Sequence, residues 1–254
     1  MKISVITVSY NSRATIQDAI LSVADQEYEN KEHIVIDGGS TDGTLELISK
    51  HRHRLSQVVS EKDRGIYDAM NKGIKLATGE IIGFLNSDDM YADKRILSEV
   101  ADRIKTYNLD SVFGDLVYVN RLRPNRIVRY YCSKKFSPKQ ISIGCMPAHP
   151  TIFFHKNVYQ KYGHFKIDYE IASDFEYVAR VFRNNDLKYA YIPKIMVKMR
   201  AGGTSTRNFR SNWTIYKEML RACRENGIQT NYFKLLLKYP GKIRNLIQMR
   251  SHEI

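Results

Sequence analysis

A short apolar strand that runs directly into two adjacent acids constrains this 254-residue chain more than any other feature: Gly79-Glu-Ile-Ile-Gly-Phe-Leu-Asn-Ser-Asp-Asp-Met-Tyr91. Ile81, Ile82, Phe84 and Leu85 form an almost unbroken apolar run, the composition of a strand covered on both faces in a parallel sheet. Neighbouring carboxylates repel each other, so Asp88 and Asp89 at the rim of a sheet call for a cation or a hydrogen-bond donor. In open α/β sheets that rim is where ligands bind, and a hard, oxygen-preferring divalent metal suits such a pair. An Asp-rich turn capping the helix that follows at Lys94 explains the same residues without a ligand. The rest of the chain has to separate the two readings.

Taken in order, the first hundred residues alternate strand and helix. Ile3 to Tyr10 reads as a central strand, and Asn11 or Ser12 can cap a helix with Ile16, Ala19, Ile20 and Val23 on one face. His33 to Asp37 is a second strand, ending in an acid and followed by Gly38-Gly-Ser-Thr-Asp-Gly43, whose glycines allow a tight turn and close approach to a ligand. Ser56 to Ser60 is a third strand, leading to Asp63. In the next helix, Ile66, Met70, Ile74 and Ala77 mark the core face and place Tyr67, Asp68, Asn71 and Lys72 on the more exposed one. This alternation argues for a parallel sheet with right-handed crossovers, and it delivers Asp37, Asp63 and Asp88 to one rim.

The texture changes after the helix Lys94 to Tyr107. Asp110 to Asn120 and Arg126 to Cys132 read as a tyrosine-rich hairpin around a basic turn containing Pro124. Gly144 to Pro150 is too rich in Gly and Pro for helix, and its His149 can be structural or can touch a ligand or metal. Thr151 to Phe154 is a strand. Asp168, Glu170 and Asp174 precede or open an amphipathic helix, where the helix dipole favours a carboxylate, so a cap accounts for Asp174 as well as a site does. Tyr189 to Met199 is a strand running into Arg200-Ala-Gly-Gly-Thr-Ser-Thr206, a loop with a cation and exposed amides of a kind suited to phosphate, or simply a glycine-rich connector. Asn208 to Asn226 reads as helix.

Charge is distributed unevenly. The chain carries +13 overall, and Lys188 to Ile254 holds 14 Lys or Arg against three Glu and no Asp, which is +11 of it. Such a block points to an anionic partner, a membrane surface or a polyanion, although solvated helix faces also account for charge runs. No apolar run reaches the length of a membrane span, and the first residues read as a strand and not a cleavable signal, so a cytoplasmic protein is expected. The three cysteines, Cys132, Cys145 and Cys223, have neither a disulfide framework nor zinc-ligand spacing.

The ordered set Thr7-Val-Ser-Tyr-Asn-Ser12, Asp37-Gly-Gly-Ser-Thr-Asp-Gly43, Asp63-Arg-Gly65, Asn71-Lys-Gly73, Gly79-Glu80, Asn86-Ser-Asp-Asp89 and Ser173-Asp174 resembles the family 2 inverting glycosyltransferases of the GT-A fold. Within that family it is most similar to bacterial enzymes of exopolysaccharide, capsule or lipopolysaccharide assembly. The resemblance covers about residues 1 to 205. It implies an α/β, GT-A (Rossmann-like), mostly parallel central sheet flanked by helices, with residues 1–108 as the nucleotide-binding half, 109–205 as the acceptor-binding half and 206–254 as a basic helical C-terminal extension.

The resemblance also implies roles. Thr7, Ser9 and Tyr10 would lie against the nucleotide of a sugar-nucleotide donor, a UDP-sugar in the first instance. Asp37 would accept hydrogen bonds from the base, and Asp63 and Arg64 would lie beside the base or ribose. Asn86, Ser87 and Asp88 fall on the family's Asp-x-Asp motif, with Asp88 as the ligand of Mn²⁺ or Mg²⁺ and Asp89 beside it; His149, from its own place in the turn, is a further metal candidate. The first acid of that motif is Asn86 here, a departure that weakens the metal expectation. Asp174 would be the catalytic base of a hexosyltransferase-type reaction with inversion, and Arg200 with the following loop would close over the diphosphate. The chemistry agrees: a divalent cation stabilises the leaving diphosphate, and a positioned carboxylate takes the proton of an acceptor hydroxyl.

The implied partners are a nucleotide-sugar donor, a saccharide or lipid-linked acceptor, and peripheral contact of the extension with the inner face of the cytoplasmic membrane. A sugar-phosphate nucleotidyltransferase would use a similar sheet but needs a glycine-rich loop after the first strand, which Ser9-Tyr-Asn-Ser12 lacks. A glycoside hydrolase uses two carboxylates but needs no nucleotide site. A basic, polyanion-binding module is the non-enzymatic alternative, and no nucleic-acid motif supports it.

Overall fold

Long β-branched runs separated by amphipathic helices leave little choice in the first half of the chain, and a computed structural model describes the result for residues 1–183, 186–202 and 209–236. Strands β1 (Ile3–Ser9), β2 (Lys31–Asp37), β3 (Gln57–Ser60) and β4 (Ile81–Phe84) are mutually parallel, in the order β3-β2-β1-β4. Helices α1 (Ile16–Ala24), α2 (Thr44–Lys50) and α3 (Ile66–Leu76) form the crossovers. The chain winds outward from β1 through β2 to β3, then returns to the other side of β1 as β4. That reversal opens a crevice at the carboxyl ends of β1 and β4, where doubly wound sheets bind ligands.

Beyond β4 the sheet is mixed. β5 (Asp89–Tyr91), α4 (Ile96–Tyr107), β6 (Ser111–Val119), β7 (Ile127–Tyr131), β8 (Phe153–His155), α5 (Lys156–Tyr162), α6 (Ser173–Phe182) and β9 (Tyr189–Arg200) follow. The order continues β4-β8-β6-β9-β5, with β7 paired to β6 as the expected hairpin. β8 runs antiparallel to both β4 and β6, while β6 and β9 are parallel. The sequence reading missed two short elements. One is β5: the stretch after the acid pair pairs antiparallel with β9 before α4 begins. The other is α5, whose seven residues are too few for a clear helical period.

Two apolar layers cover the sheet. One is built from α3, α5 and α6 with Phe84, Phe113 and Phe154, and the other from α4 with Leu85, Tyr91, Val112 and Phe153. The first layer corrects the exposure assigned to one face of α3. Tyr67 is 6% exposed because the segment from Phe165 to Asp174 packs over it. Helices α7 (Phe209–Glu225) and α8 (Tyr232–Leu236) continue this layer: Leu220, Ala222, Cys223 and Leu235 are buried in the same core as α6. The part of the expected C-terminal extension that is described is therefore packed into the same core as α3, α5 and α6. The remainder, residues 237–254, lies outside the described residues.

Candidate active site

Three loops at the carboxyl ends of the parallel strands build one side of the crevice. Asp37 closes β2 and has no exposed surface. Its Oδ1 accepts from the hydroxyls of Ser9 (2.9 Å) and Ser40 (2.5 Å), and its Oδ2 from the amides of Gly39 (3.0 Å) and Ser40 (2.9 Å) and from the Ser60 hydroxyl (2.9 Å). Burial alone would raise this carboxyl, but the donors outweigh it and hold Asp37 below the ordinary carboxylate range. Asp37 thus ties β1, β2 and β3 together at the rim. The hydrogen bond from a base that the resemblance implied has no free acceptor here. Thr7 is likewise enclosed, its hydroxyl 2.9 Å from Nε2 of the buried His33.

The open surface lies just beyond. Tyr10 is 64% exposed, and Asp63 is half-buried across Gly38 from it. A Cβ at Gly38 would stand 2.5 Å from Asp63 Oδ2 and 3.4 Å from the Tyr10 ring, so only glycine lets these two side chains flank one slot. Asp63 Oδ1 accepts from the Gly65 amide at 2.9 Å, and Arg64 projects into solvent beside Asp68. From the other side of the crevice, Ser87 on the β4–β5 loop meets Ser12 at 2.8 Å between hydroxyl oxygens, fixing the acid loop to the end of β1.

The acid pair divides its orientation. Asp88 is half-buried and its carboxyl is pushed up by burial, against the lowering fields of Arg200 and Arg121. Asp89 has no exposed surface, and burial followed by the charge of Asp88 pushes it well above the ordinary range. The Asn86 amide donates to Asp89 Oδ2 at 3.3 Å, while Asp89 Oδ1 and Asn86 Oδ1 are buried without partners. Orphaned oxygens of this kind beside a second carboxylate are a donor set that fits a hard divalent cation. Among the described residues no three His, Cys, Asp or Glu side chains gather into a complete metal site, so a cation here would draw further oxygens from a ligand or from water.

Arg200 departs from its expected role. Only 4% exposed, it donates to the Asp88 carbonyl at 3.0 Å, pairs with Asp18 of α1 and approaches the Met90 sulfur at 3.8 Å. Its guanidinium lies behind the acid loop as a prop, committed to protein groups instead of closing over a diphosphate. Gly203, Thr204 and Ser205, expected to act with it, lie outside the described residues.

Strand register lays the floor between the acid pair and the far side of the crevice. Asp89 of β5 and Tyr118 of β6 both pair with Met199 of β9, and Tyr118 pairs with Arg129 of β7, making one row across four strands. The Arg129 guanidinium sits 3.7 Å from the centre of the Tyr118 ring. Tyr118 feels the charge of Asp89 at one end of this row. Tyr131, two residues along β7 from Arg129, feels Asp174 at the other. Sequence reasoning did not single out Tyr118, Arg129 or Tyr131. The alternation of the tyrosine-rich hairpin was a usable signal, but choosing a face required the register.

Asp174 occupies the first turn of α6, half-buried, with Oδ1 accepting from the Phe175 amide at 2.8 Å and lying 3.4 Å from the Tyr67 hydroxyl. Burial raises its carboxyl, partly offset by His149. His149 stacks on Phe84, and the acid whose charge it feels is Asp174. The geometry therefore associates His149 with the candidate base and gives no support to its expected part in metal binding.

The loop that delivers Asp174 is held from α7: Glu218 accepts from three consecutive amides, Glu170 (2.6 Å), Ile171 (2.9 Å) and Ala172 (2.8 Å). No local sequence signal marks Glu218, because its partners lie about fifty residues earlier in the chain.

Comparison with known proteins agrees with this architecture. An uncharacterised glycosyltransferase of Mycobacterium tuberculosis is 32% identical over 187 residues, covering 70% of this chain and 68% of that protein. A PGL/p-HBAD biosynthesis glycosyltransferase of Mycobacterium bovis is 27% identical over 255 residues, covering 98% and 94%. Among solved structures, S. aureus TarS 1–349 in complex with UDP-GlcNAc superposes with a TM-score of 0.70 at 21% identity, over 87% of this chain and 66% of that one. The mannosyltransferase PcManGT from Pyrobaculum calidifontis, in complex with GDP-Man and Mn²⁺, gives 0.63 at 18% identity, over 87% and 64%. These likenesses establish the shared GT-A architecture. Residues 4–164 match the sequence family described as Glycosyl transferase family 2, and the chain belongs to that family.

Proposed function

We propose that this protein transfers a hexosyl group, with inversion, from a UDP-sugar to a hydroxyl of a saccharide or lipid-linked saccharide acceptor in the assembly of a cell-surface polysaccharide. The observation that carries the reading is the crevice itself. An acid loop with unpaired oxygens stands at the β1/β4 switch point, and a carboxylate of raised pKa faces it across a floor of Tyr118, Arg129 and Tyr131. Structural neighbours bound to UDP, UDP-GlcNAc and GDP-Man support a nucleotide-sugar donor, and the biosynthetic naming of the M. bovis relative supports a glycan product.

In this reading the base and ribose occupy the slot between Tyr10 and Asp63, with Arg64, Asn86 and Ser87 around it. Asp37, Ser9 and Thr7 shape the rim from behind. Asp88 and Asp89 would hold Mn²⁺ or Mg²⁺, which supplies positive charge against the diphosphate when bound. Asp174 accepts the proton of the acceptor hydroxyl as its oxygen bonds to the anomeric carbon and the bond to the diphosphate breaks, so the configuration at that carbon inverts. Its raised pKa makes it a stronger base than an exposed aspartate, and its place at a helix N-terminus keeps it ionisable.

The test is to supply a panel of UDP-sugars with candidate saccharide acceptors and to read the product by proton NMR. The anomeric configuration should be opposite to that of the donor. A product of retained configuration would overturn inversion, and absence of transfer from every nucleotide-sugar tried would overturn the reading as a whole. For membrane contact, no described helix is long and apolar enough to cross a bilayer. The proposal for the C-terminal extension rests on its charge and its exposed Trp213, Tyr232 and Phe233.

A further inference from the structure

The β6–β7 hairpin lies in the middle of a long acid-free stretch of the chain. Between Asp115 and Asp168 the sequence has no acidic residue and ten Lys or Arg. Four of them, Arg121, Arg123, Arg126 and Arg129, fall in the hairpin turn and the strand that leaves it. The turn is ordered: the Asn120 side chain accepts from the amides of Leu122 and Arg123, both at 3.0 Å, and the Asn120 amide donates to the Arg126 carbonyl at 2.8 Å.

On this frame Leu122 is 89% exposed, Ile127 43% and Val128 37%. Among the described residues neither Arg123 nor Arg126 pairs with a carboxylate. Arg121 at the base of the turn is close enough to the crevice for its charge to lower the Asp88 carboxyl. β7 is also an edge strand with only β6 as neighbour, and arginine on an edge discourages strand addition by another chain. That protective role does not account for a leucine at the tip. Water-facing apolar side chains interleaved with unpaired guanidinium groups are what an element needs to lie at a lipid interface, with the apolar groups at the acyl boundary and the cations on headgroup phosphates.

We propose that this hairpin docks the protein on an anionic lipid surface, with Leu122, Ile127 and Val128 entering the interface and Arg123 and Arg126 meeting lipid phosphates. Its root beside Asp88 would then hold the mouth of the crevice against the membrane. The inference rests on the transferase reading only for that orientation, and it adds a second contact, distinct from the C-terminal extension.

The experiment uses the full chain and measures cosedimentation with phosphatidylglycerol-containing vesicles, against phosphatidylcholine alone. The variant Leu122→Ser/Arg123→Glu/Arg126→Glu should partition at least about tenfold more weakly onto anionic vesicles, with the difference shrinking as salt rises. UDP binding measured without lipid should be unchanged, which confirms folding and keeps the nucleotide reading separate. A second protein, Leu122→Trp in a Trp213→Phe background, places the only tryptophan at the tip. Its emission should shift to the blue with anionic vesicles and stay fixed with neutral ones.

Parent-like vesicle binding by the triple variant, or a tip tryptophan that stays in water, overturns the proposal whatever the extension does. A doubled mass in lipid-free sedimentation that the triple variant loses also overturns it, because the hairpin would then be a contact between two copies.

Discussion

Asp174 and Asp89 are both aspartates raised by burial, yet their surroundings assign them opposite tasks. Asp174 is half-exposed, beside a tyrosine hydroxyl and within reach of His149, so it can exchange a proton with a bound hydroxyl. Replacing it with Asn should lower kcat by roughly 10²- to 10⁴-fold while UDP affinity stays near that of the parent. In the parent, kcat should rise with pH through the raised pKa of Asp174, an ascending limb that steady-state rates across pH would reveal. Asp89 is sealed in, with Oδ2 accepting from the Asn86 amide and Oδ1 unpaired. Asp89→Asn should raise the metal-free melting free energy by about 1 kcal/mol and remove any stabilisation by Mn²⁺, both read from thermal melts. Sequence motifs located both residues. They could not tell that Asp37, in the most recognisable motif of all, would be enclosed by five donors, since that depends on three strands meeting.

At the scale of elements, the informative piece is α7. Its Glu218 gathers the amides of residues 170–172 immediately before α6, and Glu225 accepts from Lys166 and Tyr169 in the same loop. Glu218→Ala leaves those amides without their acceptor and should lower kcat more than it lowers UDP affinity, with a loss of about 1 to 3 kcal/mol in stability. Glu218→Gln, which keeps an acceptor oxygen, should recover much of the rate. Equal loss in both variants would show that charge, and not loop placement, is what α7 provides. Asn208 to Asn226 reads as helix from the sequence, but as part of an appended extension. Only the burial of Leu220, Ala222 and Cys223 beside α6 makes it part of the main core. The mixed outer sheet was less legible than the parallel inner one for a related reason: the three-residue β5 carries too few side chains to show a period.

The whole molecule carries an acid weakness in β2. Burial holds the neutral His33 at a pKa of about 3, whereas the unfolded chain protonates it near its ordinary value of 6.5. The unfolded state therefore binds the extra proton, and stability falls as pH drops below about 6.5, by up to about 1.4 kcal/mol per unit from this residue. For the adjacent Glu32, burial would raise the carboxyl, but hydrogen bonds from Lys2, Ser4 and Thr78 hold it at about 2, so its contribution is present above about 4.5 and is lost as pH falls toward 2. Melting temperatures should decline in two overlapping steps on acidification, and His33→Gln should flatten the upper one.

On the proposed function, the acid loop and Asp174 belong to one nucleotide-sugar site but act on different parts of it. Calorimetric titration of UDP, with GDP and dTDP as controls, with and without Mn²⁺, on the parent, Asp88→Asn and Asp174→Asn tests this most directly. Mn²⁺-dependent UDP binding is expected in the parent, with its loss in Asp88→Asn and its retention in Asp174→Asn. Absence of binding to any nucleotide by the parent, or equal loss in both variants, would contradict it.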